Sequence, residues 1–183
     1  DKQEIQINFD EYIVLENPRN QIIFSPPIEP RPEIRPMSFA TQQLKIILPD
    51  SLIDNTTYTI NFGTSIVDNN EKNPLPYYSY VFSTGDYLDS LAIKGKVRDA
   101  KSRKVKNVIS LMLYPADTSY TDSTVYRKTP RYIAYSQDST NNFRLSNLKN
   151  GKYKMFAVED NNGNYTYEPQ TDKIGFIEDT ITI

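Results

Sequence analysis

The sharpest chemical candidate in the chain is Asp160-Asn-Asn-Gly-Asn-Tyr-Thr-Tyr-Glu168, with Asp172 close behind. Side-chain oxygens recur at Asp160, Asn162, Asn164 and Glu168, and the Thr166 carbonyl falls between the last two. A hard cation such as Ca²⁺ takes about six to eight oxygens, and alternate residues of one tight loop can supply them. The spacing therefore marks Asp160, Asn162, Asn164, Thr166, Glu168 and Asp172 as a candidate Ca²⁺ set. It departs from the EF-hand loop, which wants Gly at its sixth position and Glu at its twelfth. Tyr165 and Thr171 stand there instead, and so few carboxylates imply weak binding. The same residues suit another use, because Asx side chains bond to nearby backbone and close a hairpin loop without a metal. Asp68-Asn-Asn-Glu71 is a similar polar stretch without the alternate run, and it reads as a turn.

Other chemistry is poorly provided for. The sequence contains no His and no Cys, which removes the usual general base and the common nucleophile pairs. A Ser-Lys dyad or a carboxylate pair remains, but no nucleophile elbow, phosphate loop or zinc-spaced cluster is present. Asp10-Glu11 and Glu159-Asp160 are adjacent, so on a strand their side chains face opposite sides of the sheet. The chain is expected not to be an enzyme. Tyr77, Tyr78 and Tyr80 cluster beside Pro74 and Pro76 and could stack on sugar or anchor a protein. By alternation Tyr78 and Tyr80 share a face, which favours a core role for that pair.

These residues must be positioned by β structure. The 183 residues include 14 Tyr and 12 Pro but no Trp, a bias toward pleated, half-buried strands with Pro at turns and edges. Twenty-one basic against 23 acidic side chains give a net charge of -2. The one short basic run, Lys101 to Lys106, reads as a hairpin tip, so no nucleic-acid partner is expected. Without Cys there is no disulfide framework, and no window approaches the ~18 apolar residues of a membrane span. No signal peptide precedes the strand-like Glu4-Ile-Gln-Ile-Asn-Phe9, so the sequence reads as a piece of something larger.

Period-2 alternation recurs and helical periodicity is nearly absent. A first set of strands is predicted at 4–9, 12–15, 21–24, 43–48, 57–62 and 78–83. Ser25 to Pro36 holds five prolines and is expected to be an edge or an extended crossover. The pattern resets at Ser83-Thr-Gly-Asp86, and a second set is predicted at 88–97, 105–114, 131–136, 142–145, 152–158, 174–177 and 180–183. Short strands at this spacing imply an all-β chain of two tandem Greek-key sandwiches, 1–85 and 86–183. Each half repeats one device. Leu52-Ile-Asp-Asn-Thr-Thr-Tyr58 and Leu148-Lys-Asn-Gly-Lys-Tyr153 both place a Leu, a tight turn and a Tyr at a strand start. Tyr58 and Tyr153 are thus expected to form tyrosine corners, each phenol bonded to upstream backbone.

Several of these segments carry a family resemblance. Ile5-x-Ile-x-Phe-Asp-Glu-Tyr12, Ser25-Pro-Pro27, Asn55-Thr-Thr-Tyr-Thr-Ile-Asn-Phe-Gly63, the 66–75 stretch and Val81-Phe-Ser-Thr-Gly85 resemble the bacterial Ig-like domain of S-layer proteins and Bacteroidota lipoproteins. Ile93-x-Gly-x-Val-x-Asp99, Val108 to Tyr114 and Asn142-Phe-Arg-Leu-x-x-Leu-x-x-Gly-x-Tyr153 are similar to the transthyretin-like, carboxypeptidase-regulatory or Cna-B sandwich. Resembling proteins carry a lipidated Cys and a first strand ahead of the segment that begins here, so the resemblance implies a lipid anchor outside it and a first sandwich lacking its first strand. Cna-B sandwiches can form a Lys-Asn isopeptide bond. Lys94 or Lys96 sits on a suitable strand, but Thr180-Ile-Thr-Ile183 offers no Asn, and no crosslink is expected. Asp50-Ser-Leu, Asp89-Ser-Leu, Asp122-Ser-Thr, Asp138-Ser-Thr and Asp179-Thr-Ile resemble Bacteroidota O-glycosylation sites.

The resemblance implies a non-catalytic module of a cell-envelope, outer-membrane lipoprotein, facing the periplasm or the surface. Its expected partner is another outer-membrane or surface protein, engaged through sheet edges and loops. The alternative is a glycan-binding or adhesin module, with Ca²⁺ assisting. A third option is a spacer with no ligand.

Overall fold

The computed structural model describes residues 3–101, 107–137 and 140–183. Most of the basic run, at 102–106, and the first two residues of the Asp138-Ser-Thr motif lie outside them. The chain is nearly all β and divides into two compact units: residues 1–24 with 28–86, and residues 25–27 with 87–183.

In the first unit the strands are β1 (Glu4–Leu15), β2 (Ile23–Ser25), β3 (Glu33–Arg35), β4 (Thr41–Ile47), β5 (Thr57–Asn61), β6 (Ile66–Asp68) and β7 (Ser79–Ser83). They form a four-stranded sheet in the order β3-β4-β1-β6 and a three-stranded sheet β2-β5-β7. The inward faces share one core, with Leu44, Ile46, Ile60 and Phe62 fully buried. Each such side chain contributes about 2 kcal/mol by leaving water.

The predicted strands at 4–9 and 12–15 are one strand in the structure. Glu4 to Asn8 pair with β4, the register then shifts, and Ile13 to Leu15 pair with β6. Asp10, Glu11 and Tyr12 occupy the irregularity and stay exposed, so the polar break in the pattern marks a bulge rather than a turn. The predicted strand at 21–24 is likewise amended: Pro18–Gln21 is a single helical turn, α1, and only Ile23–Ser25 pairs. Strand β6 carries too few residues to announce itself. Among the prolines of 25–36, β3 forms an edge strand on β4, buries Ile34 and leaves Glu33 and Arg35 outside.

The second unit contains β8 (Leu91–Lys96), β9 (Ser110–Pro115), the helical turn α2 (Thr124–Arg127), β10 (Tyr132–Tyr135), β11 (Asn142–Leu148), β12 (Lys152–Glu159), β13 (Lys173–Phe176) and β14 (Ile181–Thr182). The larger sheet runs β10-β9-β12-β13, with β14 also on β12, and among the described residues β8 pairs with β11 alone. Leu111, Leu113, Tyr132, Tyr153 and Met155 pack with Phe143, Leu145 and Leu148 between the sheets. The alternate residues Met112, Tyr114, Ile133 and Val158 belong to a separate cluster that includes Val125 of α2. The larger sheet is therefore buried on both faces, which explains why Ile109 to Tyr114 reads as an almost unbroken apolar run.

Both tyrosines singled out above are tied to upstream backbone. The Tyr58 hydroxyl accepts the Ile53 N–H at 2.9 Å, and its ring stacks on Phe82 at 5.2 Å. The Tyr153 hydroxyl donates to the Lys149 carbonyl at 2.8 Å, while the Lys149 N–H donates to the Tyr132 hydroxyl at 3.2 Å. Burial, and then the neighbouring Tyr132, push the Tyr153 phenol from 10.0 up to about 12. An acid whose pKa is raised by folding holds its proton longer in the native state than in the unfolded chain. Its contribution is complete below pH 10 and is lost as pH climbs toward 12. Stability should accordingly fall inside that window, and Tyr153→Phe should reduce the fall, leaving the part contributed by Tyr114, whose phenol burial raises further. Urea titrations across the window, with phenolate absorbance followed in parallel, check this.

Candidate functional site

The oxygen-rich loop connects β12 to β13, and its donors are consumed by the loop itself. One carboxylate oxygen of Asp160 accepts the Gly163 N–H at 2.8 Å and the other accepts the Tyr165 N–H at 2.9 Å. Asn162 Oδ1 accepts the Asn164 N–H at 3.2 Å. Asn164 Oδ1 takes the Thr166 N–H at 2.9 Å and its hydroxyl at 2.7 Å, and the Asn164 amide donates to Glu168 at 2.8 Å. Asp172 is buried and closes the base, accepting from Glu168 N–H at 3.0 Å and Asn161 N–H at 3.3 Å.

Backbone N–H groups thus close the loop on its own side-chain oxygens, the Asx use of the pattern. Among the described residues no three His, Cys, Asp or Glu side chains converge to hold a metal. Each of these oxygens keeps a further lone pair, so the bonds close the loop with or without a cation. What the loop also does is visible in its apolar residues. Tyr165 and Tyr167 pack against the second cluster of the larger sheet, the Tyr167 N–H donates to the Val125 carbonyl at 2.9 Å, and the Tyr167 ring lies 5.3 Å from Tyr126. Asp160 thus fastens a cover over an apolar sheet face. Asp160→Ala should lower stability by about 1–3 kcal/mol, since the Gly163 and Tyr165 N–H groups lose their acceptor. Thermal scans with added Ca²⁺ and with chelator separate the two uses of the loop: an unchanged melting temperature is expected of a loop that only closes itself, and a rise with Ca²⁺ of one that binds it.

A carboxyl pair that is invisible in the sequence forms in the first unit. Glu11, on the β1 irregularity, meets Asp68 at the end of β6. Its hydrogen bond to Asp68 and the Asp68 charge raise the Glu11 pKa, while backbone N–H groups of Glu71 and Asn70 hold Asp68 low. Asp68 Oδ1 accepts the Asn70 N–H at 2.8 Å as well as the Glu71 N–H, so the 68–71 stretch is a side-chain-capped turn. Of the tyrosine cluster, Tyr78 lies 5.5 Å from Phe62 and Tyr80 lies 6.5 Å from Phe82, both against the core, whereas Tyr77 is 55% exposed. Lys94 and Lys96 are exposed.

No helix among the described residues is long and apolar enough to cross a membrane. The paired antiparallel sheets of the first unit are those of an Ig-like β-sandwich. Residues 1–84 match the family model of the bacterial Ig-like domain. Domains of that family are generally non-catalytic and occur in bacterial surface proteins. Searches among curated proteins and among solved structures return no match.

Proposed function

We propose that the chain is a non-catalytic cell-envelope module that mediates protein–protein interaction or structural support within an outer-membrane lipoprotein or its complex. The observation that carries this reading is the bacterial Ig-like match over residues 1–84, on a fold whose polar loops serve their own closure. The second unit, in this reading, is a transthyretin-like or Cna-B-type sandwich that extends the same scaffold. Sheet edges then offer the natural contact surfaces, since unpaired N–H and C=O rows accept an added strand.

The test is crosslinking and co-purification of the full-length native protein from membranes, read by mass spectrometry. A stoichiometric envelope protein partner is the expected result. A solitary protein that binds an arrayed glycan would overturn the reading in favour of an adhesin.

A further inference from the structure

Strand β8 pairs with β11 on one side and has no strand neighbour on its other side among the described residues. On its inward face Ile93 packs against the core and Gly95 leaves room for the Phe143 ring. Lys94 and Lys96 alternate with them and are exposed, and Arg144 of β11 stands directly opposite Lys94. Asn142 faces Lys96, so the outer face of this pair carries three cations and no carboxylate. The ion pairs Arg35–Glu33, Lys45–Glu4 and Lys173–Glu159 do not involve these three cations. This concentration of positive charge sits on a chain whose net charge is -2.

Lysines on an edge strand can simply discourage aggregation. That purpose needs charge on the edge strand alone. It does not account for Arg144 on the neighbouring strand, where a like charge directly opposite Lys94 costs stability. A fold that keeps the repulsion gains from it only when negative charge arrives.

We propose that the free edge of β8 receives an acidic extended segment of a partner protein, added as a strand whose alternate carboxylates meet Lys94 and Lys96, while Arg144, one strand further in, adds to the positive field of the face. Main-chain bonds along the edge supply the affinity, and the alternating cations select acidic side chains at every second position. This inference rests on the interaction-module reading and names the chemistry of the partner.

The probe is a short capped peptide of alternating Glu and Val, titrated into the full chain at low salt. Amide NMR shifts are expected to concentrate on Leu91–Lys96, and Lys94→Glu with Lys96→Glu should weaken binding by about tenfold or more. Arg144→Gln should weaken binding less than either lysine reversal, and only at low salt, while the melting temperature holds or rises, a combination that a purely structural role would not produce. A peptide with Pro in place of Val should not bind, because it lacks the N–H groups of the added strand. Shifts that fall elsewhere, or affinity that survives charge reversal, would overturn the proposal. So would equally tight binding of heparin or of phosphatidylglycerol vesicles, which would make the face a general anion surface. If a native partner co-purifies and the peptide still does not bind at β8, this inference alone falls.

Discussion

Tyr58→Ala is expected to remove about 3–5 kcal/mol from the stability of the first unit. The side chain is 2% exposed, stacks on Phe82 at 5.2 Å and sits in one core with Ile60 and Phe62. Truncation deletes the whole ring, and strands paired on both sides of β5 cannot close the void. Tyr58→Phe separates packing from hydrogen bonding. It keeps the ring and takes the acceptor from the Ile53 N–H, so a loss of about 1 kcal/mol is expected. Denaturant unfolding with separate probes for each unit reads both variants, since a two-unit chain need not unfold in one step. Equal losses for Ala and Phe would show that the bond, not the ring, anchors the corner.

The second large effect is expected at Gly95. Gly95 and Phe143 are direct cross-strand partners, and the aromatic ring lies over the glycine. A Cβ built there would meet Phe143 Cζ at 2.6 Å and Cε1 at 2.7 Å. Phe143 is buried between the two sheets, so the ring cannot yield without disturbing Leu145 and Leu148. Gly95→Ala should therefore cost about 1–3 kcal/mol through overpacking, despite the better strand propensity of Ala. Phe143→Leu removes the clashing atoms. The double variant should be more stable than the sum of the two single losses by about 0.5 kcal/mol or more, and urea midpoints of the four proteins would measure that coupling. Strict additivity would mean that the ring moves freely aside.

The stability changes expected here follow from contacts whose visibility in the sequence differs. Tyr58 and Tyr153 were legible because a tyrosine corner is local: the turn and the phenol lie within five residues of the backbone group they meet. The period-2 runs behind β4, β5 and β12 were legible for the same reason, as was the edge character of the proline-rich 25–36 stretch. The metal-like spacing of Asp160, Asn162, Asn164 and Glu168 was legible too, but the bonds it makes were not. Oxygens spaced for a cation are also spaced for the N–H groups two to five residues on, and the fold brings those N–H groups onto them.

Composition and local pattern thus determined that the chain is all β, that it lacks His and Cys chemistry, and where its tyrosine corners stand. Contacts between distant segments decided the rest. Whether β1 breaks or bulges depends on β4 and β6 offering partners to its two ends. Glu11 meets Asp68 only because that pairing brings them together. The outward face of the larger sheet is an apolar surface needing a cover, and Tyr165 and Tyr167 supply it only once the loop has folded back onto α2. Lys94 and Arg144 share a face only through the β8–β11 register. Periodicity is written in neighbouring residues. Register, cover and charge juxtaposition are written in pairs far apart along the chain, and they exist only when the strands have met.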